Sequence, residues 1–345
     1  ILQLLLCLVI AAYIMTAFRW RDWRYWLAVL CVSAFMQTFG FRGNMGIIDA
    51  SIVYTFFYAF PLWLLLVFFF PFFQAAIHGQ TVWTLKRWQQ LTWPLLIVFL
   101  AFSGPLVAPL AILVCGSLLA FYLVLKKINL APYTTFILSL MLGLSLYSMY
   151  VGSFNLENGE GPSILERFML MPTGLAKMLF TKIGWPLILI LFGLSLFLFV
   201  KKGFSKTYPR IWQAILFLLA VLGVYVLLLP FGGYRPYRPY IIRYDTFLPG
   251  TIIMIMCLGM LARVMLEQKP QWWYALSISI LLLALWNADR AKPANACEKT
   301  FLYEITQSPE LPFPDGCAVL SWKPVQDPAE AKAIREMLGR WGGGE

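Results

Sequence analysis

The chain has 345 residues, of which 61% are hydrophobic, 17% aromatic and only 12% charged, with a formal net charge of +11. A mean hydropathy of +0.75 excludes a soluble globular protein of this size, because so few polar residues could not cover its surface. The surplus of cations does not mark a nucleic-acid binder, since it is spread over short loops and no basic domain gathers it.

Apolar runs suited to a hydrocarbon core of roughly 30 Å recur along the chain. They are continuous rather than alternating, so they read as helices and not as barrel strands. Ten spans are expected, at about 1–18, 26–41, 51–74, 89–103, 107–125, 131–150, 185–200, 211–230, 246–264 and 273–288. The first begins at Ile1, inside an apolar run and without the basic start of a signal peptide. Alternation of the loops puts Ile1 on the outer face, so an odd number of spans is expected upstream. Pro61 and Pro71 predict kinks in the third span. The fourth and fifth meet at Ser103-Gly104-Pro105 and read as a helical hairpin.

The basic residues of the short loops set the orientation. Arg19, Arg21, Arg24, Lys86, Arg87, Lys126, Lys127, Lys201, Lys202, Lys206, Arg210, Arg263 and Lys269 all fall on one side if ten spans alternate. The other side carries Arg42, Arg167, Lys177, Lys182, Arg235, Arg238 and Arg243. Thirteen against seven makes the first side cytoplasmic. Asp22 stands among the inner arginines and is neutralised there; the lone His78 sits in an inner turn.

On the outer side, Asp49 precedes the third span and is a candidate general base, or else a helix cap. The long loop 151–184 opens with a polar stretch containing Glu157 and Glu160. It continues as an amphipathic segment with Ile164, Leu165, Phe168, Leu175, Met178 and Leu179 near helical spacing, and Pro172 and Gly174 break it in the middle. Such a segment lies in the outer interface, either as a packing element or as a platform beside a route for lipid substrate.

The loop 231–245, FGGYRPYRPYIIRYD, gathers Arg235, Arg238 and Arg243 with Tyr234, Tyr237, Tyr240, Tyr244 and Asp245. Outward-facing arginines run against the charge rule and call for another reason. Arginine offers planar, bidentate contacts to phosphate, and tyrosine stacks on sugar rings or sits at headgroup level. The alternative is that these arginines snorkel to lipid phosphates or pair with Asp245 and nearby acids. A base or divalent-cation ligand on this face would have to come from Asp49, Glu157, Glu160, Glu166, Asp245 or Asp289.

Cys7, Cys31, Cys115 and Cys257 lie within spans and read as small apolar residues. Cys297 and Cys317 are the only two in the polar tail, 289–345, and would pair in an oxidising compartment. The fold class expected is therefore an all-α polytopic membrane protein. About ten transmembrane helices occupy 1–288, and a small disulfide-linked outer domain follows, with short strands and turns and a helix near 328–340. Phosphate-binding glycine loops, HExxH, nucleophile elbows and metal-spaced Cys/His sets are absent from the sequence.

Arg243-Tyr244 followed by Phe247-Leu248-Pro249 at the start of a span resembles the opening of a late helix in many C-type (GT-C superfamily) polytopic glycosyltransferases. The likeness covers about 20 residues by motif and the rest by architecture: interfacial helices in outer loops and a small outer domain after the last span. It implies sugar transfer from a polyprenyl-phosphate donor on the outer face of the cytoplasmic membrane, in a bacterial cell envelope. Arg235, Arg238 and Arg243 would neutralise the donor phosphate, and an outer acid would deprotonate the acceptor. The acidic pair usual in that superfamily's first outer loop is absent from this sequence: either it lies upstream, or Asp49 substitutes for it, or the chain is not an active transferase. The stretch GGYRPYRPYIIRYDT also resembles multi-spanning membrane proteins of Bacteroidetes-type bacteria, a likeness that carries no activity. The other classes open to this sequence are a lipid-linked glycan polymerase or transporter and a non-catalytic subunit that docks partners through the tail.

Overall fold

A computed structural model describes residues 1–36, 55–154, 161–181, 183–232, 240–242, 246–268 and 272–288, together with 329, 332, 333 and 336 of the tail. The chain divides into two compact units, Ile1–Asp289 and Arg290–Glu345. Among the described residues the first is helical throughout: α1 Leu2–Met15, α2 Trp23–Ser33, α3 Phe60–His78, α4 Arg87–Ala101, α5 Val107–Leu123, α6 Pro132–Ser153, α7 Ile164–Phe180, α8 Gly184–Lys201, α9 Phe204–Thr207, α10 Pro209–Leu228, α11 Leu248–Gln268 and α12 Trp272–Ala288. In the second unit, residues 329, 332, 333 and 336 are helical.

Each expected span has its helix. Five stretches are long and apolar enough to cross a membrane: Phe56–His78, Pro132–Ser153, Gly184–Lys201, Pro209–Phe231 and Leu248–Gln268. Three more apolar helices are shorter, Leu2–Met15, Val107–Leu123 and Trp272–Trp286. The 11-residue α2 covers only about 17 Å at 1.5 Å per residue. The protein is thus a helical membrane protein, while length alone does not carry a count of ten crossings.

Local chemistry explains the helix ends. Asp22 caps α2 by accepting from the Arg24 amide at 2.9 Å, and its carboxylate lies 3.8 Å from Arg19. Pro61 falls in the first turn of α3, where its missing N–H costs nothing. The irregularity lies just before it, as a π-helical turn over Thr55–Ala59, and Pro71 is accommodated inside the helix. Between α4 and α5 the chain turns at Gly104, whose φ of +133° suits glycine alone. A Cβ there would also come within 2.9 Å of the Phe57 carbonyl oxygen.

The core is built around α11. Of its most apolar stretch, 83% is buried inside the protein, against 22% for α6 and α10. It packs on α1, α8 and α10. Gly259 lets Ile14 of α1 lie against its backbone, and Gly250 does the same for Phe247 and Leu222. Tyrosine hydroxyls tie neighbouring segments by donating to backbone carbonyls: Tyr13 to Leu66, Tyr25 to Leu8, Tyr225 to Thr246. Ser195 of α8 and Tyr274 of α12 share a buried hydrogen bond of 2.6 Å. In an apolar surround such bonds fix which faces meet.

The helices sort the charges. Arg263 of α11 donates to the Ile14 carbonyl at 3.1 Å and pairs with Glu267, which lies 4.0 Å from Arg24. Gln74 of α3 reaches the Thr16 carbonyl, Trp83 pairs through its backbone with Asn129 and Ala131, and the Arg210 guanidinium covers Gly79. These contacts gather one end of the bundle, with the first twelve of the thirteen cations assigned to it; Lys269 lies outside the described residues. At the opposite end the described charges are Glu166, Arg167 and Lys177.

Candidate functional site

The chain's candidate ligand-binding residues Tyr234, Arg235, Tyr237, Arg238, Arg243, Tyr244 and Asp245 lie outside the described residues, as do Asp49, Glu157, Glu160, Asp289 and both tail cysteines, Cys297 and Cys317. The flanks of the arginine loop are described, at 229–232, 240–242 and 246–248. What holds those flanks is the site's visible framework.

That framework is α7. Its N-terminus is a capping box. The Ser163 hydroxyl accepts from the Glu166 amide, and the Glu166 carboxylate accepts from the Ser163 amide at 2.7 Å. The expected break at Pro172 and Gly174 does not occur: one helix runs from Ile164 to Phe180. Proline removes one ladder bond, and packing along the neighbouring face carries the helix through it. Gly174 lies on that packed face with Met178, flanked by the half-buried Arg167, Phe168, Met171 and Leu175.

Each part of this face grips a flank of the loop. Arg167 donates to the carbonyls of Pro230 at 3.4 Å and Gly232 at 3.0 Å, and also to Pro162 at 2.9 Å. Phe168 packs edge-on against Phe231, with ring centres 5.8 Å apart. Gly174 passes under Tyr240 so closely that a Cβ would stand 2.4 Å from the Tyr240 carbonyl oxygen. Lys177 places its ammonium 3.8 Å from the centre of the Tyr240 ring. The segment turns sharply at this point: Ile241 has φ of +55°, and the Ile242 amide donates to the Tyr240 carbonyl. At the far flank Phe247 packs against Trp185 of α8, and Tyr225 of α10 bonds to Thr246.

The other face of α7 is apolar and uncovered. Leu165, Met169 and Phe180 are 67%, 69% and 66% exposed, at spacings of four and eleven residues that keep them in one stripe. A helix with one face on protein and one apolar face free suits the boundary of a bilayer. The described flanks at 230–232 and 240 are tied to a helix of that kind.

Arg167, Lys177 and Tyr240 are the residues that the sequence did not single out as site residues. The readable signal was Gly174, a glycine on the packed stripe of an amphipathic helix. It marks a close approach of two backbones rather than a break. The described acids of the first unit are engaged elsewhere: Glu166 in its cap, Asp22 in the cap of α2, Glu267 with Arg263. Among the described residues no three His, Cys, Asp or Glu side chains come together as a metal site. Cys7, Cys31, Cys115 and Cys257 are free thiols, three of them buried.

Comparison with known proteins returned no matching family model, no matching curated protein and no matching solved structure.

Proposed function

We propose that the protein crosses the cytoplasmic membrane about ten times with its many-cation end inside, and that its other end transfers a sugar from a polyprenyl-phosphate donor. In this reading Arg235, Arg238 and Arg243 take the donor phosphate, and Tyr234, Tyr237 and Tyr244 stack on the sugar. Charge stabilisation of the departing phosphate supplies most of the rate. Asp49 is the acid proposed to deprotonate the acceptor hydroxyl. The tail is exported, with Cys297 and Cys317 joined as a disulfide.

The observation that carries this reading is the grip of α7 on both sides of residues 233–239, the stretch that carries Arg235 and Arg238. Arg167 holds the carbonyls of residues 230 and 232, and Lys177 and Gly174 hold Tyr240. Flanks fastened to a helix with a free apolar stripe are what a loop needs if it is to meet a lipid-linked phosphate whose hydrocarbon chain is still in the bilayer.

A second reading makes a smaller demand. A lipid-linked glycan polymerase would need the arginines without a base, whereas a transporter would need charged groups deep in the spans and a non-catalytic subunit would need no pocket near the arginines. Substituting Arg238 by Gln and Asp49 by Asn separates the two. The transferase reading expects both variants to lose sugar transfer from a polyprenyl-phosphate donor in membranes. Loss of donor binding in Arg238→Gln with full activity in Asp49→Asn supports the second reading. Normal donor binding in Arg238→Gln, at normal protein levels, overturns both.

A further inference from the structure

At the many-cation end, the turn from α8 to α10 holds Lys201, Lys202, Lys206 and Arg210 within ten residues, and residues 201–210 contain no carboxylate. The one-turn helix α9 packs on both α8 and α10 and keeps the turn compact. None of the four cations forms an ion pair among the described residues. This contrasts with Arg19, Arg24 and Arg263 at the same end, each of which meets a carboxylate.

Lys202 is the unusual member. Its ammonium nitrogen is buried and has no hydrogen-bond partner among the described residues. A covered ammonium without an acceptor leaves its donors unmet, and an acceptor from outside the chain would meet them. Lys201 shows where such a partner would come from. Its ammonium lies 5.5 Å from the ring centre of Phe197, and Phe197 is 59% exposed on the outside of the bundle. The turn therefore sits where the lipid-facing side of α8 reaches the membrane surface. Arg210 adds a guanidinium packed against Gly79, at the end of α3.

We propose that this turn binds the phosphate headgroup of an anionic phospholipid from the leaflet at the many-cation end, with Lys202 as its buried contact and Lys206 and Arg210 as its outer ones. A phosphodiester supplies the acceptor oxygens that the ammonium lacks, and its acyl chains lie along α8 beside Phe197. The site is independent of any reaction at the opposite end.

The test uses the full chain in detergent micelles, with phosphatidylglycerol, phosphatidylcholine and soluble glycerol phosphate as probes, followed by native mass spectrometry and thermal unfolding. Phosphatidylglycerol is expected to bind and raise the unfolding midpoint, and phosphatidylcholine is not. Lys202→Gln, Lys206→Gln and Arg210→Gln should each weaken phosphatidylglycerol binding about fivefold, the value of one cation near an anionic surface. Lys86→Gln with Arg87→Gln, at another basic turn, should leave it unchanged. Lys202→Met guards against misfolding as an explanation. Without its buried ammonium the chain should be more stable in lipid-free micelles and yet gain less from phosphatidylglycerol. Equal binding by the Lys202, Lys206 and Arg210 variants, an equal loss in the Lys86/Arg87 variant, or a Lys202→Met chain less stable without lipid would each overturn the proposal. Competition by glycerol phosphate at matched concentration would overturn the lipid as the source of the phosphate.

Discussion

At one end of the bundle, twelve described lysines and arginines stand with two carboxylates, Asp22 and Glu267; at the other, Arg167 and Lys177 stand with Glu166. The crowded end spends some of its cations on closing helix ends, as Arg263 does on the Ile14 carbonyl, and leaves others unpaired. At the sparse end both cations reach across to another segment of the chain. Where cations are plentiful, their number sets sidedness and single residues matter little, except where one closes a helix. Where they are few, each one positions something.

The largest effect that could break this contrast is at Gly174. A valine there would drive its side chain into the Tyr240 backbone, and overpacking of that kind costs about 1–3 kcal/mol. Because the clash is with backbone, the loop flank must lift from α7. Chymotrypsin should then cut after Tyr240 at least tenfold faster than in the parent, with the rest of the digest unchanged. A digest identical to the parent's would mean that α7 does not hold the flank. Next comes Arg263→Met at the crowded end. It removes a charge-assisted bond to the C-terminus of α1 and leaves Glu267 with Arg24 alone. A loss of about 1.5–3 kcal/mol in unfolding free energy is expected, whereas Lys126→Gln at the same end should cost under about 0.5 kcal/mol. Equal losses would erase the distinction between closing residues and sidedness residues.

Hydropathy made the helices legible and left their partners hidden. Nine of the ten expected spans match helices to within a few residues at their described ends, because a long apolar run in lipid has few other ways to satisfy its backbone, whereas the second, expected to reach 41, ends its helix at Ser33. Lipid and protein interior are alike in polarity, so an apolar residue does not reveal which it faces. Leu258 is 5% exposed and Leu283 is 62% exposed, yet both read as ordinary span residues. The central position of α11 was illegible for that reason, although Gly250 and Gly259 were its trace. The same limit applied to α7. Its amphipathic pattern was plain in sequence, but Pro172 and Gly174 suggested a break. Only the packing of Gly174 under Tyr240 shows why the helix continues. At the candidate site the sequence supplied the residue types, and α7 supplies the flanks to which they are tied.

The smallest effect is the sharpest test of how the sparse end works. Lys177 lies over the Tyr240 ring on an exposed surface, where a cation–π contact is worth about 0.5–1 kcal/mol. Single variants would confuse that contact with the loss of each side chain's own packing. A double-mutant cycle with Lys177→Met and Tyr240→Leu isolates it, read from protection of the 240–242 amides in hydrogen exchange. If Lys177 serves to hold the loop flank, the two changes should couple by about 0.5–1 kcal/mol, and either alone should loosen the segment without altering exchange at α11. Zero coupling would free the Lys177 ammonium for a ligand. The sparse end would then use its cations as the crowded end does, as charge on offer rather than as fasteners. The coupling energy thus decides whether Lys177 belongs to the scaffold of the candidate site or to its binding surface.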